Sequence, residues 1–232
     1  MRRIQNLMEQ WLFIGPDNRQ EQVNLPHTWN AKDGQDGGND YYRGICHYEK
    51  TFEKPEFDPE AEEVYLEFLG VNASSDVTVN GKELAHHDGG YSTFRINITE
   101  VLEDRNKLEV TVDNSVNGKV YPQKADFTFY GGIYRDVRFL IVSKEHFDLD
   151  YLGSNGIKIT PEVKENEANV HIETFTNTEE AQVNVQIKDQ DGKVVVEGNG
   201  CDANLNIQNP IRWHGRKNPY LYTAVATLTV NG

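Results

Sequence analysis

Cysteine and long apolar runs are both scarce in this sequence. Its 232 residues include two cysteines, Cys46 and Cys201, which lie far apart and lack a CxxC partner. This spacing favours two reduced thiols over a zinc or redox motif. No stretch approaches the roughly 18 apolar residues that a membrane helix needs. We therefore expect no metal, no cofactor and no membrane partner.

Positive charge is also in short supply. Lys and Arg number 23 against 37 Asp and Glu, so the formal net charge is −14. Such a surface repels phosphate backbones and anionic lipid, which argues against nucleic-acid and membrane partners. In the N-terminal segment Met1–Asp17, Gln, Asn and Glu interrupt the apolar positions and no small-residue cleavage site follows, so the segment does not match a signal peptide. The sequence thus predicts a cytoplasmic protein.

Helical periodicity is nearly absent, and alternation of apolar and polar residues takes its place. Val64, Leu66 and Phe68 share one face of a predicted strand. The Asn-Gly pair at residues 80–81 suits a type I′ hairpin turn, in which both central φ values are positive. The run VRFLIV at residues 137–142 predicts a strand covered on both faces. Many short strands separated by Gly, Asn and Asp turns predict an all-β fold, here an antiparallel sandwich.

A change in composition near His146 indicates a second domain, so we divide the chain into residues 1–145 and 146–232. Beyond residue 156 the predicted strands recur at the spacing of about 8–12 residues typical of an immunoglobulin-like sandwich. About six strands are countable where seven are usual, and Asn231-Gly232 reads as the start of a hairpin turn. We therefore expect this domain to stop before its last strand, with Tyr220–Val230 left as an edge.

Two clusters invite a metal-site interpretation. His86, His87 and Asp88 are adjacent, but neighbouring residues of a strand point to opposite faces, so a solvated loop is the favoured interpretation. The segment Asp189–Lys193 resembles part of a calcium loop, but the closing glutamate is not in place, so a hairpin turn is favoured. Among the 37 acidic residues no pair stands out as the carboxylates of a glycosidase, so no catalytic residue is assigned in this chain.

Two glycine-flanked segments are rich in aromatic residues, GNDYYRG at residues 38–44 and ADFTFYGG at residues 125–132. Sugars present apolar C–H faces and a ring of hydroxyls, and an aromatic platform with a few fixed carboxylates or amides binds them. The alternative is that Phe129, Tyr130 and Tyr134 belong to the core and that Asp126 caps a turn. On composition alone this alternative is favoured.

Several motifs occur in an order that resembles glycoside hydrolase family 2, the family of β-galactosidases and β-glucuronidases. They are LPHTWN (residues 25–30), DYYRGICHYEKTF (40–52), the run from Val64 to Thr99, DFTFYGGIYRDVRFL (126–140) and WHGRKNPYLYT (213–223). The resemblance covers essentially the whole chain. It implies a jelly-roll sugar-binding domain, an immunoglobulin-like sandwich and then a TIM barrel that carries both catalytic glutamates of a retaining mechanism. The chain would then be an N-terminal, non-catalytic fragment of a β-galactosidase-like enzyme, inactive alone.

The same resemblance implies roles for individual residues. Asp126 would reach from the jelly roll into the active site of the barrel and bind the sugar in the first subsite. Asn39 is a second candidate for substrate contact. Arg135 and Asp136 would form a structural salt bridge after the glycine turn of Gly131 and Gly132, and Trp213 belongs to the motif near the end of the immunoglobulin-like domain.

Alternatives remain open at this stage. The stretch GGIYRDV favours a galactosidase, but a β-glucuronidase-like fragment is the alternative within the family. A free-standing carbohydrate-binding module and a structural adhesion protein are alternatives outside it, the last disfavoured because neither a secretion signal nor calcium loops are evident. The expected partners are a β-galactoside, the barrel and, in an oligomer, further copies of the protein.

Overall fold

The fold consists almost entirely of short β-strands. A computed structural model of the chain describes residues 2–31, 41–121 and 127–230. In these ranges it contains sixteen strands and two short 3₁₀ helices, at Thr99–Val101 and Tyr151–Gly153. The chain forms two compact units, Met1–Lys144 and Glu145–Gly232. The prediction of an all-β fold is confirmed. No helix within the described ranges is long and apolar enough to cross a membrane.

The first unit is a sandwich of two antiparallel sheets. Its strands are β1 (Arg3–Asn6), β2 (Trp11–Ile14), β3 (Gln20–Val23), β4 (Ile45–Glu53), β5 (Glu62–Phe68), β6 (Ser74–Val79), β7 (Lys82–Asp88), β8 (Phe94–Asn97), β9 (Arg105–Asp113) and β10 (Val137–Ser143). The smaller sheet has the order β1-β10-β5-β8, and the larger has the order β3-β2-β4-β9-β6-β7. Sequence neighbours are often not sheet neighbours, as expected for a jelly roll.

The core between these sheets follows the alternation in the sequence. Val64, Leu66 and Phe68 of β5 are fully buried on one face, as predicted. Across the sandwich, the rings of Phe52 and Phe139 lie 5.0 Å apart. Each fully buried side chain of this size contributes about 1.5–3 kcal/mol to folding. Strand β10 is buried along both faces, which confirms the interpretation of the run VRFLIV.

The predicted hairpin turn is present between β6 and β7. Asn80 and Gly81 have φ values of 50° and 78°, which places both in the left-handed region that a type I′ turn requires. Val79 and Lys82 pair directly across the turn. The Asn80 side chain also donates to the Val101 carbonyl at 2.9 Å, which ties the turn to the 3₁₀ helix Thr99–Val101.

One carboxylate of the smaller sheet is completely buried and surrounded by arginines. Glu67 on β5 has no exposed surface. Its Oε1 lies 2.7 Å from Arg95 Nε and 3.6 Å from Arg2 Nη2. Its Oε2 pairs with Arg138 Nε on the neighbouring β10. Burial of a charge is costly unless partners compensate it, and here three guanidinium groups share one carboxylate.

The second unit contains two three-stranded antiparallel sheets. Its strands are β11 (Ile157–Val163), β12 (Glu167–Thr174), β13 (Gln182–Lys188), β14 (Val194–Asn199), β15 (Asp202–Gln208) and β16 (Thr223–Thr229). The sheet orders are β11-β12-β15 and β14-β13-β16. Alternate residues of β12, β13 and β15 form the core: Ala168, Val170, Ile172, Val183, Val185, Ile187, Ala203, Leu205 and Ile207. The period-2 pattern therefore places one face of each of these strands inside.

Strand β16 lies at the edge of its sheet in the described part of the chain. It pairs with β13, from Gln182↔Thr229 to Lys188↔Thr223. In an antiparallel pair, every second residue of an edge strand turns its N–H and C=O away from the neighbour. The sequence placed an edge in this segment, and the structure agrees.

We predict that amide hydrogen exchange will distinguish β16 from the strands that have neighbours on both sides. About every second amide of Thr223–Thr229 should exchange quickly, because it has no strand partner on the outer side. The amides of β13 and of β5, each flanked by two strands, should be protected. The measurement is residue-resolved exchange in dilute solution. Uniform protection along β16 would contradict the prediction.

Candidate functional site

A fully buried asparagine holds the glycine-containing segment after Asp126. Asn30 comes from the LPHTWN stretch and has no exposed surface. Its Oδ1 accepts hydrogen bonds from the Gly131 amide at 2.7 Å and from Asn114 Nδ2 at 3.3 Å. Its Nδ2 donates to the Tyr42 carbonyl at 2.9 Å. One side chain thus joins three segments that lie far apart in the sequence.

A second buried asparagine completes this arrangement. Asn114 follows β9 and is 1% exposed. Its Nδ2 also donates to the Phe129 carbonyl at 3.0 Å, and its Oδ1 accepts from the Gly44 amide at 2.8 Å. The Asn114 carbonyl accepts from Arg43 Nε at 2.9 Å. We call Asn30 and Asn114 the asparagine clamp. It fixes the backbone at residues 129 and 131.

The two glycines of this segment are required for space and for backbone conformation. A Cβ on Gly131 would overlap the Trp29 ring. Gly132 has φ 128°, and a Cβ there would lie 2.5 Å from the His27 carbonyl oxygen and 2.7 Å from the Tyr48 hydroxyl. A side chain at Gly131 would therefore push the segment away from Trp29, and one at Gly132 would push it away from His27 and Tyr48. The sequence predicted a glycine turn here but not this close packing.

The aromatic residues of the segment divide between core and surface. Phe129 is buried, and the Arg43 guanidinium lies 5.0 Å from its ring centroid. Phe127 is 55% exposed and Tyr130 is 40% exposed. Tyr134 is partly buried and donates its hydroxyl proton to the carbonyl of Gly90. The core interpretation thus holds for Phe129 and not for Tyr130. The exposed rings are those of Phe127 and Tyr130, one and four residues after Asp126 in the sequence.

Both predicted substrate contacts, Asp126 and Asn39, lie outside the described residues. Their roles therefore stay predictions.

Arg135 does not form the expected ion pair with Asp136 among the described residues. Its Nη1 lies 3.5 Å from the carbonyl oxygens of Leu69 and Tyr91. Its guanidinium carbon lies 5.3 Å from the centroid of the Tyr134 ring. The guanidinium is thus directed onto this ring and two carbonyls rather than toward the adjacent carboxylate. Arg135 still has a structural role, but through stacking and backbone contacts.

Trp213 belongs to the second unit and is 65% exposed. It borders a groove of about 590 Å³ with apolar walls that include Ile159, Val163, Ile211 and Leu221. All four of these side chains are substantially exposed. The motif residue therefore contributes to an apolar surface and not to the core of the described fold.

The histidine pair on β7 makes two separate sets of contacts. His86 Nδ1 lies 2.6 Å from Asp76 Oδ1, and its Nε2 lies 3.1 Å from Asp88 Oδ1. The His87 ring instead stacks on Phe94 with centroids 4.2 Å apart. The two side chains do not converge on one point, as the strand geometry predicts. Over the described ranges, no group of three or more His, Cys, Asp or Glu could hold a metal ion.

Hydrogen bonds set the charge states around His86. Those with Asp76 and Asp88 raise the pKa of His86 above its usual 6.5. The Ser74 hydroxyl, followed by Lys119 and His86, lowers the pKa of Asp88 to about 2. Both pKa shifts favour the charged form of the group concerned. His86 and Asp88 therefore belong to a surface ion network and do not form an acid–base pair for catalysis.

Sequence reasoning assigned no role to Asn30 or Asn114. An isolated polar residue in a loop has no periodicity, and the hydrogen-bond partners of these two side chains lie 12 to 101 residues away. A usable signal was present at residue 30, because Asn30 closes the LPHTWN motif. No comparable signal marks Asn114, which only follows the end of a strand.

Two family models of glycosyl hydrolases match this chain, one mainly in each unit. The family model of the glycosyl hydrolase 2 galactose-binding domain-like domain matches residues 42–149. The model of glycosyl hydrolases family 2 matches residues 154–232. The two matches follow each other with little gap and together take in most of the chain.

Individual relatives agree with these matches. A β-glucuronidase of Bacteroides fragilis is 33% identical over 90% of this chain and 32% of its own length. A β-galactosidase of Thermoanaerobacter pseudethanolicus is 28% identical over 98% of this chain and 33% of its own length. The solved structure of an FMN-binding β-glucuronidase from Faecalibacterium prausnitzii L2-6 superposes with a TM-score of 0.91 at 38% identity, covering all of this chain and 37% of that one. The chain thus spans about a third of the length of these relatives.

We predict that Asn114→Ala will lower the free energy of unfolding by about 2–4 kcal/mol, because it leaves the buried Phe129 carbonyl and the partly buried Gly44 amide without these partners. Asn114→Asp should also destabilise the protein, since its second oxygen would face the Phe129 carbonyl. Denaturant unfolding measures both effects. Asn6→Ala, at an exposed position, is the control and should stay within about 0.5 kcal/mol of the wild type. Equal stability of all four proteins would contradict the role of the clamp.

We predict that the contribution of His86 to stability will decrease as the pH rises. The pKa of His86 is raised in the folded state, so its stabilisation is fully present below about pH 6.5 and is lost as the pH passes through the higher folded value. The difference in Tm between the wild type and His86→Gln should therefore be larger at pH 6 than at pH 9. His214→Gln, at an exposed position, is the control. A difference that grows with pH would contradict the prediction.

Proposed function

Because this chain belongs to glycoside hydrolase family 2, we propose that it forms the N-terminal, non-catalytic part of a retaining β-galactosidase-like enzyme. In this proposal the first unit binds carbohydrate and completes an active site whose two catalytic carboxylates come from a barrel elsewhere in the longer protein. A retaining mechanism needs these carboxylates about 5–5.5 Å apart, one as acid/base and one as nucleophile. The first unit supplies a substrate contact instead.

The asparagine clamp is the observation that carries this proposal. It fixes the backbone at Phe129 and Gly131, three and five residues after Asp126. Asp126 is three residues from this fixed backbone in the sequence. A substrate contact needs such a support, because misplacement by about 1 Å can lower the rate by a large factor.

The sugar specificity has two candidates. The stretch GGIYRDV supports a β-galactosidase, and a relative of that name covers 98% of this chain. The relatives named β-glucuronidase have higher identity, at 33% and 38%. A β-glucuronidase-like specificity is therefore the second candidate, and side-by-side assay of chromogenic β-galactoside and β-glucuronide with the longer protein decides between them.

The cysteines support a reducing location. Cys46 and Cys201 are both free thiols in the structure. Burial raises the pKa of Cys46 to about 12, so this thiol stays protonated and unreactive at neutral pH. Cys201 is exposed and would be open to oxidation outside a reducing compartment. We therefore propose that the enzyme works in the cytoplasm, and that any oligomer forms without disulfides.

We predict that Asp126→Asn in the longer enzyme will lower kcat/KM by about 10²-fold, because a charged contact to the sugar of about 3 kcal/mol is lost. Steady-state kinetics on both chromogenic substrates measures the effect. Asp104→Asn, at an exposed position outside the site, is the matched control and should have normal kinetics.

The proposal also requires that this chain alone not hydrolyse either substrate above a mock preparation. Turnover by the isolated chain would contradict the non-catalytic assignment. An effect of Asp126→Asn below threefold would contradict the role of Asp126.

A further inference from the structure

The tetrapeptide VNGK occurs twice in the first unit, at residues 79–82 and at residues 116–119. Asparagine followed by glycine is chemically labile, because the glycine nitrogen can attack the side-chain carbonyl carbon and close a five-membered ring. Glycine favours this attack because it has no Cβ to hinder it. Identical local sequences have similar intrinsic reactivity, so a difference in rate between Asn80 and Asn117 reports on the fold.

The fold holds the first copy of the tetrapeptide rigidly. Asn80 lies in the hairpin turn between β6 and β7, and its Nδ2 donates to the Val101 carbonyl and to Asn106 Oδ1, both at 2.9 Å. Its Oδ1 accepts from the Lys107 amide at 2.9 Å. Three hydrogen bonds thus fix the carboxamide of Asn80. Ring closure would have to break several of these bonds, which raises its barrier.

The second copy lies in an open segment after β9. Its Val116 is 70% exposed, whereas Val79 of the first copy is fully buried. Gly118 is exposed, and a Cβ built on it would meet no atom within 4 Å. The Gly118 amide donates no hydrogen bond to any residue that the structure describes. The attacking nitrogen is therefore open to solvent and to the base that removes its proton.

The side-chain oxygen of the second copy accepts two backbone hydrogen bonds. Asn117 Oδ1 lies 2.9 Å from the Lys119 amide nitrogen and 3.0 Å from the Val120 amide nitrogen. Attack on the side-chain carbonyl places negative charge on this oxygen, and two N–H donors stabilise that charge, as in an oxyanion hole. The corresponding oxygen of Asn80 accepts from the Lys107 amide, and two further bonds hold the nitrogen that must leave.

Two other Asn-Gly pairs in the described ranges lack a free attacking nitrogen. At Asn155-Gly156 the glycine amide donates to Ser154 Oγ at 3.1 Å. At Asn199-Gly200 the glycine amide donates to the Val183 carbonyl at 2.8 Å. Ring closure at these pairs has to break a hydrogen bond of the nucleophile first. The exposed pair at residues 117–118 combines a free nitrogen with a polarised carbonyl.

We propose that Asn117 is a site of spontaneous deamidation in the folded protein. The Gly118 nitrogen loses its proton to solvent base and bonds to Cγ of Asn117. The side-chain nitrogen takes up a proton and leaves as ammonia, so that a succinimide remains. Water then opens the ring at either carbonyl and yields aspartate or isoaspartate. The reaction consumes one water and releases one ammonia, with no change in oxidation state.

This modification would occur beside the asparagine clamp. Asn117 follows Asn114 by three residues, and Lys119 Nζ pairs with Asp88 at 3.0 Å. Aspartate at this position adds a negative charge two residues from Lys119 and keeps an oxygen that can accept from the two amides. Isoaspartate lengthens the backbone by one carbon and changes the spacing between the carboxylate and these amides. Molecules of different age would therefore differ in the structure of this loop.

Incubation in water enriched in a heavy oxygen isotope tests the proposal, because hydrolysis of the succinimide adds one labelled oxygen. The protein is kept at mildly alkaline pH and digested, and mass spectrometry measures the label in the peptides that carry Asn80 and Asn117. In the folded protein Asn117 should react at least about fivefold faster than Asn80. In urea the two rates should agree within about twofold, because the tetrapeptides are identical.

The variant Gly118→Ala isolates the chemistry of the attacking residue. A Cβ has room at this position, and Gly118 is not among the glycines with positive φ, so the fold should tolerate alanine. Uptake of label at Asn117 should fall at least about tenfold, because a Cβ on the attacking residue hinders ring closure. Uptake at Asn80 in the same molecule should stay unchanged and is the matched control.

Three results would overturn the proposal: equal rates of Asn117 and Asn80 in the folded protein, a difference between them that persists in urea, or unchanged uptake at Asn117 in Gly118→Ala. Circular dichroism and thermal unfolding establish that the variant is folded. The measurement needs neither a substrate nor the longer enzyme. Its outcome is therefore independent of the proposed function.

Discussion

Buried backbone N–H and C=O groups need hydrogen-bond partners, and this requirement determines how the irregular segments of the first unit meet. Asn30 and Asn114 lie at the meeting point of three segments that are otherwise irregular, around residues 30, 42–44 and 129–131. Irregular backbone cannot satisfy its own N–H and C=O groups inside a protein. Two asparagine side chains, each with donors and an acceptor, supply what a strand would otherwise provide. The position of Phe129 and the close packing of Gly131 both depend on this pair.

The fold could be predicted from the sequence because its causes are local. Alternation in β5 and in the second unit assigns each side chain to a face within a few residues, and the Asn80-Gly81 turn needs only its own two φ angles. The motifs then supplied the order of the domains. Contacts such as those of Asn114 with Gly44 and Phe129 have no local signature, because they depend on how distant loops meet.

Arg135 illustrates the same limit at the site. Adjacent opposite charges suggest a salt bridge, but side-chain direction is decided by the surface on which the segment lies. Here the guanidinium contacts the Tyr134 ring and two backbone carbonyls. The division of Phe129 and Tyr130 between core and surface follows similarly from the clamp, because it holds the Phe129 backbone against β9.

The carboxylate of Glu67 has a consequence for how this sequence can change over evolutionary time. It has no exposed surface and faces Arg2, Arg95 and Arg138. Loss of one partner of a buried pair costs about 3–5 kcal/mol, whereas joint replacement by apolar residues can be nearly neutral. Replacement of only one of these four residues should therefore destabilise the protein. We expect the four positions to covary as a set across homologues, with strong epistasis between their substitutions.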